Sequence, residues 1–285
     1  MGSIGRSVWM QKQPNFNAFA AKMTPAVQRA AATARALEGK VTNTPKAFEP
    51  TAIKQALTEA DTRAQEIILE ALAENYPQVS LEAEEDTPRV KDFQGEGDAL
   101  VIIDPIDGTL QSYLEGLGPY ATIVGLAIER RMHSAIVALP REGLLFRGSS
   151  GGCAEVIDDS EGLRPVQASA DGDRVFVSHN VPANVRAALA AEGLEVIPAC
   201  GGAVSVAPLL PGVRAGLRIV PRTSESGLSV RGRVGLTIAR EAGAFIRGDR
   251  GGIFRDDLDT PHWLLCLTAD EGDQGLLQKI MRKET

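Results

Sequence analysis

The run ALVIIDPIDGT at residues 99–109 constrains the fold more than any other part of the chain. Val101, Ile102 and Ile103 follow one another without a polar break, the pattern of a strand buried in an apolar core. The strand then ends abruptly in two acids, a proline and a glycine. Three more apolar runs follow, ATIVGLAIE, SAIVALP and LLFRGSS, separated by glycine, proline and charged turns. From residue 99 onward the chain reads as a sheet with helices packed on it.

Two of those helices lie upstream. Residues 25–38 open after Thr24 with Pro25 in the first turn, where a missing N–H costs nothing. TEADTRAQEIILEALAENYP puts Ile67, Ile68, Leu69, Ala71 and Leu72 on a broad apolar stripe and stops before Pro77. Between them, GKVTNTPKAFEPTAIKQA is rich in turn formers and charge and reads as a hairpin or a mobile loop. A boundary falls at IDDSEGLRPVQASADGD (157–173), where apolar periodicity lapses. Beyond it RVFVSHN reads as a strand, PANVRAALAAEG as a helix and LEVIPA as a strand, an alternation that argues for an α/β half. VRGRVGLTIAREAG reads as one helix ending at Gly243, and EGDQGLLQKIMRK as a C-terminal helix. The expected division is an N-terminal α+β half over 1–160 and a C-terminal α/β half over 161–285.

With 285 residues, 44% of them hydrophobic, the chain can bury a substantial core. Its formal net charge of -7, from 37 acidic and 30 basic residues, disfavours nucleic acid as a partner and leaves room for local cation sites. Cys153, Cys200 and Cys266 are far apart and lack CxxC spacing, so neither a disulfide framework nor a thiolate zinc site is indicated. A reducing, cytoplasmic compartment fits that usage. No run reaches the roughly 18 apolar residues of a membrane span, and MGSIGRSVWMQKQ has no apolar leader core. His133, His179 and His262 are scattered without metal-binding spacing.

Magnesium takes oxygen ligands in near-octahedral geometry, and a few carboxylates plus substrate phosphate and water commonly supply them. In DPIDGT, proline holds Asp104 extended, glycine permits a tight turn, and Thr109 opens the next helix. Helix N-termini bind phosphate through free N–H groups. Asp104 and Asp107 would thus flank an anion site, where a bridging cation belongs. SLEAEEDT adds Glu82, Glu84, Glu85 and Asp86, and LTEAD adds Glu59 and Asp61. Each cluster also has a plain reading: a solvated acidic turn for 84–86, and acids favoured by the helix dipole for Glu59 and Asp61.

Taken in order, these motifs resemble the inositol monophosphatase family of lithium-sensitive, magnesium-dependent phosphatases. ALTEADTRAQEIILEAL is similar to the family's LVTEAD helix, LEAEE to its GEE, and DPIDGT is identical to its most diagnostic hexapeptide. RGSSGGCAEV, PACGGAVSVAPLLPG and IAREAG are similar to its later glycine-rich, substrate-side and EAGG segments. The resemblance implies a layered αβαβα sugar-phosphatase fold of the α/β class, a homodimer, and Mg²⁺-dependent hydrolysis of a small polyol, sugar or nucleotide phosphate. It further implies that Glu84, Asp104, Asp107 and the Ile106 carbonyl bind Mg²⁺, and that Thr109 and Glu84 activate the attacking water with support from Asp61. Gly108 and Thr109 would hold the phosphate. Gly201, Gly202, Ala203, Glu225 and Arg231 would line the substrate.

One motif departs from the pattern. The family's WDxAA signature has no counterpart in LSVRGRVGLTIAREAG; Val230 and Arg231 stand where Trp and Asp are expected. A cation replaces a cation ligand, and at ~4 Å with an effective dielectric of ~20 each unit-charge interaction is worth about 4 kcal/mol. Three explanations compete. Arg231 takes over one metal's charge and holds a substrate anion, with Arg218, Arg222 and Arg233 suited to a second phosphate or a carboxylate; or Glu225 or Glu241 reaches the metal site; or the chain is a catalytically weakened, ligand-binding or regulatory relative. The glycine of GEE is Ala83, a minor change if its backbone does not need φ > 0.

Overall fold

The computed structural model describes residues 16–284, apart from 48, 50, 94, 96 and 225. The first sheet has seven strands in chain order: β1 (Ser80–Ala83), β2 (Ala99–Asp107), β3 (Ala121–Ile128), β4 (Arg131–Leu139), β5 (Leu144–Ser149), β6 (Ala154–Asp158) and β7 (Gly162–Pro165). Only β1 and β2 run parallel; each later pair is antiparallel. The second sheet holds β8 (Arg174–Ser178), β9 (Glu195–Ala199), β10 (Val213–Ile219), β11 (Phe245–Arg247) and β12 (Leu264–Thr268), in the order β11-β12-β10-β8-β9. The helices are α1 (Phe19–Leu37), α2 (Ala52–Gln55), α3 (Glu59–Asn75), α4 (Ala183–Ala191), α5 (Gly201–Ser205), α6 (Leu236–Glu241) and α7 (Glu271–Glu284).

Side-chain alternation along the strands sorts these elements into five layers. On β2, Val101 and Ile103 pack with Ile68 and Leu72 of α3 and with Phe19, Met23 and Val27 of α1. Ile102 faces the other way, into a core shared with Val204 of α5, Ile238 of α6, and Phe176 and Leu267 of the second sheet. Val175 and Val177 on the far face of that sheet meet Val185 and Leu189 of α4 and Leu277 of α7. The expected αβαβα layering is the one observed. A strand buried on both faces has to be continuously apolar, which is why β2 shows no polar alternation.

Local features differ from the sequence expectation in three places. Helix α1 starts at Phe19 and carries Pro25 in its interior. Phe19 and Met23 are fully buried, and their packing outweighs the hydrogen bond that proline removes. The helix expected over 230–243 is broken into a 3-10 turn, Arg231–Arg233, and α6. Gly232 and Gly235 lie at the break, hard against Arg218 and Ser205. Residues 162–165, read as part of a linker, form the edge strand β7, exposed throughout and therefore without an apolar face to register. The 41–57 segment is a hairpin-like loop, with Thr44 N donating to Leu57 O and Lys46 N to Gln55 O, and α2 at its tip. Among the described residues no helix is long and apolar enough to cross a membrane.

Ile68 joins α3 to the first sheet and is fully buried. Ile68→Ala should destabilise the fold by roughly 2–5 kcal/mol, read as a lower urea midpoint with an unchanged m-value.

Candidate active site

The parallel register of β1 and β2 creates the site. Ala83 pairs with Ile103, so the next residues, Glu84 and Asp104, stand side by side where the β1–β2 pairing ends. β2 then pairs with β3 through Asp104↔Ile123 and Asp107↔Ala121, a bulge that holds Pro105 and Ile106. Proline suits a bulge because no ladder hydrogen bond is asked of it. Thr122 Oγ1 donates to the Pro105 carbonyl at 2.9 Å and braces the turn. Gly108 follows with φ 89°, a left-handed conformation, and a Cβ there would also stand 2.8 Å from the Cys200 Cβ. The chain continues into a π-helical turn, Thr109–Leu114.

Asp61 sits beneath this turn, fully buried at the start of α3. Its Oδ2 accepts from the Thr58 N–H at 2.8 Å and from Thr58 Oγ1 at 2.6 Å, closing a capping box. Its Oδ1 lies 3.0 Å from Thr109 Oγ1, which is also 2.8 Å from the Ile106 carbonyl. A hydroxyl has one proton. With Asp61 ionised, Thr109 donates to it; with Asp61 neutral, the carboxyl donates to Thr109, which donates onward to Ile106. Burial pushes the Asp61 carboxyl up to about 7, against the stabilising bonds from Thr58. The helix-cap reading of this residue holds, and the same carboxyl also reaches Thr109.

Glu85, one residue on from Glu84, is anchored from the buried side. Gln65 donates to the Glu85 carbonyl at 2.6 Å and accepts from its N–H at 3.0 Å. Lys46 Nζ lies 2.9 Å from Glu85 Oε1 and 3.9 Å from Glu84 Oε1. Arg231 completes the constellation: its Nη2 is 3.6 Å from Glu84 Oε1 and its Nε 3.5 Å from Asp104 Oδ2. Burial, Glu84 and Asp107 together drive the Asp104 carboxyl well above the ordinary range.

Asp107 turns toward the second half of the chain, where its Oδ2 accepts from the Gly202 N–H at 2.5 Å. Gly201, Gly202 and Ala203 are buried in α5, capped by Cys200, whose Sγ accepts from the Ala203 N–H at 3.4 Å. Burial and the neighbouring Asp107 push the Cys200 thiol up, so it is a neutral packing group. Ala83 has no positive φ, and the side chain in place of glycine is tolerated.

The other acids and arginines named from sequence go elsewhere. Glu241 Oε1 accepts from the Gly151 N–H at 2.9 Å, so it does not supply the missing carboxylate; Glu225 lies outside the described residues. Arg222 pairs with Asp249 and lies over the Trp263 ring; Arg233 donates to the Thr260 carbonyl and faces Phe254. Arg218 is buried and donates to the Gly232 carbonyl at 2.6 Å. Gln65 and Lys46 escaped the sequence reading. Gln65 had a signal, as a polar residue four positions after Asp61 on an apolar helix face; Lys46, in a polar loop, had none.

A cation fits the residues present. Glu84 Oε2 and Asp104 Oδ1 are buried without a hydrogen-bond partner. Such oxygens are costly unless a cation, or a proton shared between the two carboxyls, meets them. Among the described residues no three His, Cys, Asp or Glu side chains converge as a complete metal cage. Two carboxylates open to water and substrate oxygens are what Mg²⁺ commonly accepts, so the incomplete cage does not argue against it.

The model of the inositol monophosphatase family matches residues 16–193. The chain belongs to the inositol monophosphatase family. Family members are phosphatases and generally metal-dependent. The histidinol-phosphatase of Chlorobaculum parvum is 32% identical over 114 residues, 40% of each chain. The Nus factor SuhB of Salmonella typhimurium is 29% identical over 130 residues, 45% of this chain and 47% of the relative. The chain thus spans less than half the length of these curated relatives. Solved structures match more fully: the extragenic suppressor protein SuhB of Bartonella henselae superposes with a TM-score of 0.70 over 92% of this chain and 98% of its own, at 18% identity. An inositol monophosphatase from Thermotoga maritima gives 0.70 over 93% and 97%, also at 18% identity. At that identity the likeness is one of fold.

Asp61 yields a pH test. Its folded pKa of about 7 lies above the ordinary 3.8, so the fold favours the neutral carboxyl, and that contribution is lost as pH rises between the two values. Asparagine can replace it, because Thr109 can accept from the amide and donate to Ile106. In EDTA, the stability of the native chain should fall relative to Asp61→Asn as pH rises from about 4 to about 7. Urea midpoints that stay parallel across that range would contradict the assignment.

Proposed function

We propose that the chain is a Mg²⁺-dependent phosphomonoesterase acting on a small polyol, sugar or nucleotide phosphate. The observation that carries the reading is the pair of bare, buried oxygens, Glu84 Oε2 and Asp104 Oδ1, at the mouth of the Gly108–Thr109 turn. Family membership supports the reaction class.

Glu84, Asp104, Asp107 and the Ile106 carbonyl are the groups proposed to hold Mg²⁺. When bound, the ion would acidify a water and offset charge on the transferring phosphoryl group. Ester phosphate oxygens are received by the N–H groups at Gly108 and Thr109, which open a helical turn and lack carbonyl partners in a preceding turn. Glu84 accepts the proton of the attacking water, while the Thr109 hydroxyl, set by Asp61, orients that water. The water oxygen bonds to phosphorus as the ester P–O bond breaks, and the departing alkoxide takes a proton from solvent. No covalent phosphoenzyme is required. The substrate-side residues Gly201, Gly202, Ala203 and Arg231 contact the rest of the molecule. A homodimer in a cytoplasmic setting belongs to the same reading.

Phosphate release should appear with Mg²⁺ on at least one of inositol monophosphate, fructose 1,6-bisphosphate, adenosine 3′,5′-bisphosphate and histidinol phosphate. Glu84→Gln should reduce kcat by about 10²–10⁴-fold with unchanged circular dichroism. No release from any of the four by the folded native protein would reject the reading in favour of a ligand-binding relative.

A further inference from the structure

Glu84 and Asp104 each offer two oxygens, and Arg231 attends one of each. Its Nη2 lies 3.6 Å from Glu84 Oε1 and its Nε 3.5 Å from Asp104 Oδ2. The remaining oxygens, Glu84 Oε2 and Asp104 Oδ1, are the bare ones. The guanidinium and the free oxygens thus divide the carboxylate pair between them. Lys46 leaves that division intact, since it approaches the same Glu84 Oε1, at 3.9 Å, and is held by Glu85.

The backbone that carries Arg231 is anchored. Arg231 opens a 3-10 turn whose Gly232 carbonyl accepts from the buried Arg218 Nη1 at 2.6 Å. A Cβ on Gly232 would collide with that nitrogen, and one on Gly201, across the same guanidinium, would stand 2.9 Å from its central carbon. Arg218 therefore fastens the Arg231 turn to the start of α5, next to the Gly202–Asp107 bond. A guanidinium stays charged at any physiological pH. Arg231 is thus a fixed positive charge at the acids.

We infer that the Arg231 guanidinium is a built-in cation that replaces one divalent ion, so that the site binds a single divalent cation, with the free oxygens of Glu84 and Asp104 among its ligands. A second ion would have to sit beside a permanent positive charge and compete with it for Glu84 Oε1 and Asp104 Oδ2. The inference rests on the proposed function for the presence of a divalent cation, and not for turnover.

The test counts Mn²⁺ alone, by electron paramagnetic resonance titration of the full chain in phosphate-free buffer, with circular dichroism as the check on folding. The native chain should bind one Mn²⁺, weakened about tenfold or more by Asp104→Asn. Arg231→Asp should bind two. Arg231→Met should bind one, about tenfold more tightly, because the competing charge is gone. Two or more Asp104-sensitive ions in the native chain, no ion at all, a count of one in folded Arg231→Asp, or unchanged affinity in Arg231→Met would each overturn the inference. Since turnover does not enter the count, the phosphatase reading can fail in its own assay while this result stands, and the reverse.

Discussion

Like charges brought together inside a protein have to be compensated, and the parallel pairing of β1 with β2 brings Glu84 and Asp104 together where that pairing ends. Much of the remaining architecture answers that constraint. Lys46 comes from the loop before α3, Arg231 from a turn after the second sheet's β10, and the Gly202 N–H from the start of α5. The second sheet has its own core with α4 and α7, yet its near face and α5 close over the acids from the other side. Two bare oxygens remain uncompensated, and a site left unfinished in this way has its use in what it receives.

Asp61 shows how structural and chemical roles share one side chain. Its capping-box bonds to Thr58 would be satisfied at a solvated helix end, where a carboxylate needs no further reason to exist. Here the same carboxyl is buried and touches Thr109, so the helix start is also the floor of the Gly108–Thr109 turn. The two bonds from Thr58 hold the carboxyl in place, and the Thr109 hydroxyl lies between it and the Ile106 carbonyl.

Much of this was legible in the sequence because the site is local. DPIDGT contains the bulge, the left-handed glycine and the opening threonine in six consecutive residues, and LTEAD contains both the cap and the buried acid. A sheet with helices packed on it and an α/β second half followed from the apolar run at 101–103 and the later strand–helix alternation, while the αβαβα layering followed from the resemblance of the motifs to the family. What escaped depends on contacts between distant segments. Pro25 read as a helix start because the burial of Phe19 and Met23 is a tertiary fact. The apparent 230–243 helix breaks because Gly232 and Gly235 meet Arg218 and Ser205, neighbours that periodicity cannot supply. The arginines at 218, 222, 231 and 233 looked alike in sequence, yet they go to a buried brace, a surface pair, the acids and an aromatic face respectively.

Arg218 has a consequence for how this chain can change over generations. Its guanidinium fills the space that side chains at 201 and 232 would need, so three positions spread over some thirty residues behave as one character. A larger residue at either glycine would have to displace the guanidinium, and a smaller residue at 218 leaves a void beneath both. A change at any one of the three positions is thus felt at the other two, and through them at the turn that carries Arg231 to the acids.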